Sequence, residues 1–181
     1  PQFFPRLHYF ARFLNADVFA IADYVQFVRR HIYHTPEKTV RGPSYQAHSP
    51  IKTKEGVHLL DFPTRHEGLS PIHETQLAFA KPQDRLRNLR LITEHYRGAP
   101  QYKRLMPSLE SLLREEHTSA AAINIASTLW GLAILLELPN PLRGVVTLND
   151  VANALPHRAF RLKRIVVFSE SGINPPDKES G

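Results

Sequence analysis

Two carboxylates in this sequence come directly after apolar segments that have the character of buried strands. Asp23 and Gln26 follow the first segment, and Ser169 and Glu170 follow the second. Ligands of open α/β sheets gather beyond the carboxyl ends of the strands, so these side chains converge on one crevice if the two strands are neighbours. Such a pair could orient ribose hydroxyls, hold a divalent metal or act as a base toward an amino group. The structural alternative is that Asp23 caps a loop and Glu170 caps a helix.

A helix and two strands must position these side chains. Residues 7–15 place apolar side chains at helical intervals after Pro5, and residues 17–22 have the composition of a short buried strand. A helix followed by a buried strand is the second half of a βαβ unit, and residues 164–168 supply a second such strand. We therefore predict an α/β fold with an open, mostly parallel sheet and flanking helices, and a first strand located before residue 1.

The middle of the chain divides into a β-rich insertion and a helical segment. Residues 28–75 lack a helical period and contain several prolines, which favours short strands, and residues 51–60 are typical of a hairpin that turns at Glu55-Gly56. Residues 82–138 show helical periodicity, and Pro107 is expected to break one helix or to mark its first turn.

The run 118–136 carries no formal charge, and its 19 residues raise the question of a membrane span. Much of its apolar content is alanine, and it includes the polar residues Asn124, Ser127 and Thr128. A buried helix capped by Thr118 or Ser119 is therefore favoured over a span.

Composition excludes several kinds of chemistry. The 181 residues contain no cysteine, so disulfides, a thiolate nucleophile and an iron–sulfur cluster are absent from them. The 10 histidines lack the spacing of a zinc site, and no GxSxG elbow is present. No metal site is predicted. The opening residues do not have the pattern of a signal peptide, which favours a cytoplasmic location.

Positive charge is concentrated in two segments. Residues 29–54 and residues 81–104 each carry a net charge of +5, and the whole chain carries +6. With tyrosines nearby, these segments could bind RNA through phosphate contacts and stacking, attract a nucleotide diphosphate, or form solvated surface. Nucleic acid is not excluded as a partner, although no RNA-binding signature is present.

The sequence resembles the WbqC-like protein family over most of its length. The resemblance begins with PQFFPRLHYF at residues 1–10 and DYVQF at 23–27, continues through PSLE at 107–110, and ends with IVVFSE at 165–170. Arg6 and His8 stand where the family has tryptophan and glycine, which indicates a divergent member. The resemblance implies that residues 1–181 form one domain that is incomplete at both ends.

The resemblance also implies a function. Family members are similar to gene products of O-antigen and other surface-polysaccharide (lipopolysaccharide) pathways, so we expect a cytoplasmic transferase that modifies a nucleotide-activated amino sugar. The candidate catalytic residues are Asp23, Glu170 and His8. The candidate substrate-binding residues are Gln2, Arg6, Gln26, Arg30 and Ser169, of which Arg6 and Arg30 would contact phosphates together with His8.

Two further interpretations stay open. The predicted opening also resembles nucleotidylyltransferases, whose HxGH signature binds phosphates at the start of a helix. Here the corresponding residues are Arg6-Leu7-His8-Tyr9, and such an enzyme would use a nucleoside triphosphate with Mg²⁺. The other interpretation is a non-catalytic module that binds RNA or a protein partner.

Overall fold

A computed structural model describes residues 1–14, 18–65, 69–135 and 164–168. In chain order the elements are α1 (Leu7–Leu14), β1 (Val18–Ala22), β2 (Arg30–His34), β3 (Thr39–Pro43), β4 (His48–Thr53), β5 (Gly56–Asp61), β6 (Thr64–Arg65), β7 (Gln76–Leu77), a 3-10 helix (Pro82–Leu86), α2 (Arg87–Tyr96), α3 (Tyr102–Arg114), α4 (Ala120–Leu135) and β8 (Arg164–Phe168). Strands β2 to β7 lie within residues 30–77, and helices α2 to α4 lie within residues 87–135.

Strands β1 and β8 form a parallel pair. Their register runs from Val18 opposite Arg164 to Ala22 opposite Phe168. The two buried runs predicted from the sequence are therefore neighbours, and they point the same way. The carboxyl ends of both strands meet at one edge.

The other strands pair antiparallel, β2 with β3, β4 with β5 and β6 with β7. The mixed α/β class is confirmed, but the described residues contain no open, mostly parallel sheet. The reason lies in the connections, because loops as short as 35–38 and 54–55 permit only antiparallel neighbours. The hairpin of β4 and β5 turns one residue earlier than predicted: Gly56 already pairs with Thr53, and it has a φ of +127°, which favours glycine.

The main core joins the first residues of the chain to the β-rich stretch and to α4. Phe3 is fully buried, and its ring contacts that of Phe62 edge to face, with centroids 4.8 Å apart. The remaining buried members are Phe27, Ala47, Leu60, Ile72, Ala120, Ala121 and Ile123. A second cluster, formed by Leu89, Leu109, Leu112 and Leu113, joins α2 to α3.

Helix α1 packs against α4 at a glycine. A Cβ atom added to Gly131 would lie 2.6 Å from Cζ of Phe10, so the close approach of the two helices requires glycine at this position. Helix α4 begins as predicted, because the hydroxyl of Ser119 accepts a hydrogen bond from the Ala122 N–H at 3.2 Å.

The prediction that Pro107 would break or begin a helix is wrong. Helix α3 runs without interruption from Tyr102 to Arg114. Pro107 is exposed and lies near the start of this helix, where its missing N–H removes a single hydrogen bond, the one to the Lys103 carbonyl. The helix gains more from its buried leucines than it loses at that position.

Candidate functional site

The polar face of α4 holds the first residues of the chain. Asn124, Ser127 and Thr128 recur at helical spacing on one face, and all three are buried. The Asn124 amide donates to the Gln46 carbonyl at 2.8 Å and to the Pro1 carbonyl at 3.4 Å. The Thr128 hydroxyl lies 3.4 Å from the carbonyl of Gln2. The uncharged helix therefore uses its few polar side chains to fix the backbone of residues 1–4.

Phe4 occupies a strained conformation in this segment. Its φ is +41°, in the left-handed region that side chains other than glycine rarely adopt. Its N–H donates to the Ser127 hydroxyl at 3.0 Å, and its carbonyl accepts from the Ser49 hydroxyl at 2.9 Å. Two hydroxyls from separate elements thus hold Phe4 just before α1 begins, and they set the direction in which that helix enters.

Asp23 lies at the end of β1, beside the end of β8. Its side chain is 2% exposed, and its Oδ1 atom has no hydrogen-bond donor in the described part of the chain. Its backbone carbonyl is well satisfied, since it accepts from the N–H and from Nδ1 of His73 at 3.1 and 3.0 Å.

Asn124 presents a second acceptor of the same kind. It is fully buried, and although its amide nitrogen is bonded, its Oδ1 has no donor among the described residues. The Asn124 amide nitrogen lies 3.4 Å from the Pro1 carbonyl. Buried acceptors without donors are rare in folded proteins and call for an explanation. Both oxygens are therefore candidates for a hydrogen bond from a group outside the described residues.

Arg6 and His8 are exposed at the start of α1. The guanidinium of Arg6 lies over the ring of Tyr45, 4.5 Å from its centroid. Burial and Tyr45 raise the pKa of the Tyr33 hydroxyl, and Arg6 opposes that shift, so the exposed Arg6 and the half-buried Tyr33 and Tyr45 form one cluster. The backbone carbonyl of Gln2 faces α4, 3.4 Å from the Thr128 hydroxyl.

Gln26 and Arg30 lie farther along the same surface. Gln26 is exposed, and its carbonyl accepts from Nε2 of Gln46 at 3.3 Å. Arg30 is exposed at the start of β2. Because side chains alternate along a strand, Arg30 lies on the opposite face from Tyr33 and the Arg6 cluster. The structure therefore separates Arg30 from Arg6. Ser169 and Glu170 follow β8 in sequence and lie outside the described residues.

The described residues hold no group of three or more histidine and carboxylate side chains that could bind a metal ion. Within the same ranges, none of the helices combines the length and hydropathy that a membrane span requires.

Sequence reasoning missed Asn124 as a site residue. The polar residues of the run 118–136 were used only as evidence against a membrane span. Their spacing at 124, 127 and 128 was the available signal, since it places three hydrogen-bonding side chains on one face of an otherwise apolar helix.

The fold and site together define a mixed α/β protein with a buried carboxylate at the end of a parallel strand pair. A model of the WbqC-like protein family matches residues 1–166 of the 181-residue chain. The chain belongs to the WbqC-like family, as its sequence motifs predicted. Comparisons with curated proteins and with solved structures give no match.

Proposed function

We propose that this protein is a cytoplasmic transferase that modifies a nucleotide-activated amino sugar for surface-polysaccharide assembly. The observation that carries the proposal is the buried Oδ1 atom of Asp23, which has no donor among the described residues. An amino or hydroxyl group of a sugar supplies the missing donor. A charge-assisted hydrogen bond of this kind is among the stronger ones available to a protein.

Asp23 has a chemical role in this proposal beyond binding. When the sugar nitrogen arrives as an ammonium, a carboxylate beside it can accept a proton and free the lone pair. The nitrogen then forms a bond to the transferred group of an activated donor while the bond between that group and its leaving group breaks, and the leaving group departs with the electron pair. Asn124 remains neutral and would hold a second N–H or O–H of the same sugar. Glu170, which follows β8, is proposed to act beside Asp23, with Gln26 and Ser169 as neutral hydrogen-bonding groups.

The nucleotide part of the substrate is proposed to lie toward α1. Arg6 is already positioned over Tyr45 and beside Tyr33, so a phosphate could contact the guanidinium while an aromatic face remains near a base. His8 and Gln2 complete this part of the proposed site, and Arg30 lies on the opposite face of β2 from Tyr33.

A ligand panel tests the proposal against its two alternatives. Thermal shifts would be compared for a nucleotide-linked amino sugar, a nucleoside triphosphate with Mg²⁺, and a short single-stranded RNA. We expect the amino sugar to raise the melting temperature most and Asp23→Asn to weaken that effect. A stabilisation by RNA that falls steeply with salt, with no response to either nucleotide ligand, would overturn the proposal.

A further inference from the structure

Two arginines from distant segments meet on the single carboxylate of Asp61. Nη2 of Arg29 lies 3.6 Å from Oδ2, and Nη1 of Arg87 lies 3.2 Å from Oδ1. Arg29 precedes β2, Asp61 ends β5 and Arg87 begins α2. The side chains of Arg29 and Arg87 are 41% and 74% exposed, so a solute can reach both guanidinium groups.

The backbone around Asp61 is fixed. The buried side chain of Asn88 donates to the Asp61 carbonyl at 2.8 Å and accepts from the Asp61 N–H at 3.3 Å. Arg29 is held independently, since its Nη1 donates to the Phe62 carbonyl at 3.2 Å. Arg29 is therefore held by two acceptors and Arg87 by the Asp61 carboxylate, and this order lowers the entropy cost of binding a ligand.

A third basic side chain belongs to the same neighbourhood. His48 lies directly opposite Asp61 in the hairpin of β4 and β5, and its Nδ1 bonds to the Ser44 carbonyl at 3.2 Å. Burial lowers the pKa of His48, and Arg29 and Arg30 lower it further while Asp61 and the bond to Ser44 raise it. Two arginines and one histidine therefore lie around one carboxylate.

This excess of charge distinguishes the cluster from an ordinary ion pair. One guanidinium is enough to neutralise Asp61, and exposed ion pairs contribute only about 0–1 kcal/mol to stability. The second guanidinium leaves an excess of positive charge, which a further anion would neutralise. Guanidinium groups match the oxygens of phosphates in two-point hydrogen bonding, which makes a phosphoryl group the best-fitting anion.

We propose that Arg29 and Arg87, positioned by Asp61 and flanked by His48, form a phosphate-binding or diphosphate-binding site. The sequence did not predict a phosphate contact for either arginine. The site is separate from the Arg6 cluster and does not depend on the proposed function, because inorganic pyrophosphate alone would occupy it.

Calorimetric titration of the full chain with inorganic pyrophosphate tests this proposal. We expect saturable binding that Arg87→Gln weakens by about tenfold or more, since a hydrogen bond to a charged group contributes about 1.5–3 kcal/mol. Arg90→Gln is the matched control: Arg90 is an exposed arginine on the same helix, bonded to the Gln83 carbonyl at 3.0 Å. It should bind pyrophosphate as the wild type does.

Two outcomes would overturn the proposal. One is no pyrophosphate binding to the wild type at constant ionic strength, and the other is an equal loss in Arg87→Gln and Arg90→Gln, which would indicate only general attraction. Arg87→Lys provides a second variant that keeps the charge but loses the two-point geometry, and it should also bind more weakly.

Further arms identify the source of the phosphoryl group and separate this proposal from the previous one. If a nucleoside diphosphate competes with pyrophosphate and binds more tightly, the ligand of this site is a nucleotide. If the nucleoside diphosphate and pyrophosphate bind with equal affinity, the ligand is a free phosphate compound. Both results support the site. Asp23→Asn should leave pyrophosphate binding unchanged, whereas loss of binding in that variant would contradict two separate sites.

Discussion

Asp23 is buried at a place where its charge has little support from the described protein. Its Oδ1 atom lacks a donor, and a buried polar group without a partner lowers stability. Asp61, the other carboxylate at the end of a strand, has two arginine partners. A carboxylate with a structural role is expected to have charged partners, as Asp61 does. A carboxylate retained for its chemistry is expected to lack them, as Asp23 does.

Two matched substitutions test this difference. Asp23→Asn removes an unsupported charge, so we expect the melting temperature to stay the same or to rise. Asp61→Asn leaves Arg29 and Arg87 without their shared partner, and a loss of about 0.5–1 kcal/mol would lower the melting temperature by about 1–4 °C. Calorimetric melting of both variants provides the measurement. A drop for Asp23→Asn as large as that for Asp61→Asn would assign Asp23 a structural role.

His48 should make the protein less stable in mild acid. Burial and two arginines lower its pKa in the folded state below the ordinary value of about 6.5. Above that value the imidazole is neutral in both states and contributes nothing. As the pH falls through about 6.5, the unfolded chain binds a proton that the folded chain does not, so the free energy of unfolding decreases.

The variant His48→Asn keeps a nitrogen donor near the Ser44 carbonyl but cannot titrate. Urea unfolding at about pH 7.5 and about pH 5.5 should show a smaller acid-induced loss of stability in this variant than in the wild type. The difference in the free energy of unfolding between the variant and the wild type at about pH 7.5 is the internal control, because it reports only the packing that the substitution removes. An identical acid-induced loss in both proteins would show that His48 is not a source of it.

Sequence reasoning could find Asp23 but not its partner acceptor. Asp23 follows an apolar run, and the position of a residue after a strand is readable from periodicity alone. The neighbourhood of Asn124 depends on contacts with Pro1 and Gln46, which are far away in sequence. Likewise, Arg6 and Arg30 are both exposed arginines that the sequence predicts to contact phosphates, and only the alternation of β2 in the folded chain shows that they lie on different faces.

At the scale of elements, α4 has two roles. One face contributes Ala120, Ala121 and Ile123 to the main core, and its polar residues fix the first four residues of the chain. The strained backbone of Phe4 depends on Ser127 and Ser49, because each satisfies one of its backbone groups.

Removing the Ser127 hydroxyl should therefore destabilise the protein. Ser127→Ala leaves the Phe4 N–H without its acceptor, and we expect a loss of about 1–3 kcal/mol in the free energy of unfolding. Ser111→Ala is the control, because Ser111 is exposed on α3 and should change stability by less than about 0.5 kcal/mol. Urea unfolding measures both. Equal effects of the two substitutions would mean that the Phe4 contact does not support the fold.

Most of the helices and strands could be predicted from the sequence, but the effect of a proline inside a helix could not. Helix α1, strand β1 and the hairpin of β4 and β5 follow from periodicity and turn residues. Pro107 misled the prediction because a proline is judged by its local cost, whereas the helix around it is stabilised by the buried Leu109, Leu112 and Leu113.

At the scale of the whole molecule, the two basic segments of the sequence meet. Arg29 and Arg30 belong to the first segment and Arg87 to the second, and Asp61 lies between them. A further contact joins the same segments, since the Lys52 N–H donates to the Tyr96 hydroxyl at 3.1 Å. Sequence alone gave the charge of each segment. Their convergence results from the packing of β4 and β5 against α2, which no local pattern encodes.

The central claim is that Asp23 recognises an amino group of a nucleotide-linked sugar. The most direct test is a calorimetric comparison of two ligands, the amino sugar and an analogue with hydrogen in place of the amino group, in the wild type and in Asp23→Asn. We predict that the wild type prefers the amino sugar by about 10–100-fold, since a charged hydrogen bond contributes about 1.5–3 kcal/mol, and that Asp23→Asn binds both ligands equally. An undiminished preference in Asp23→Asn would contradict the claim.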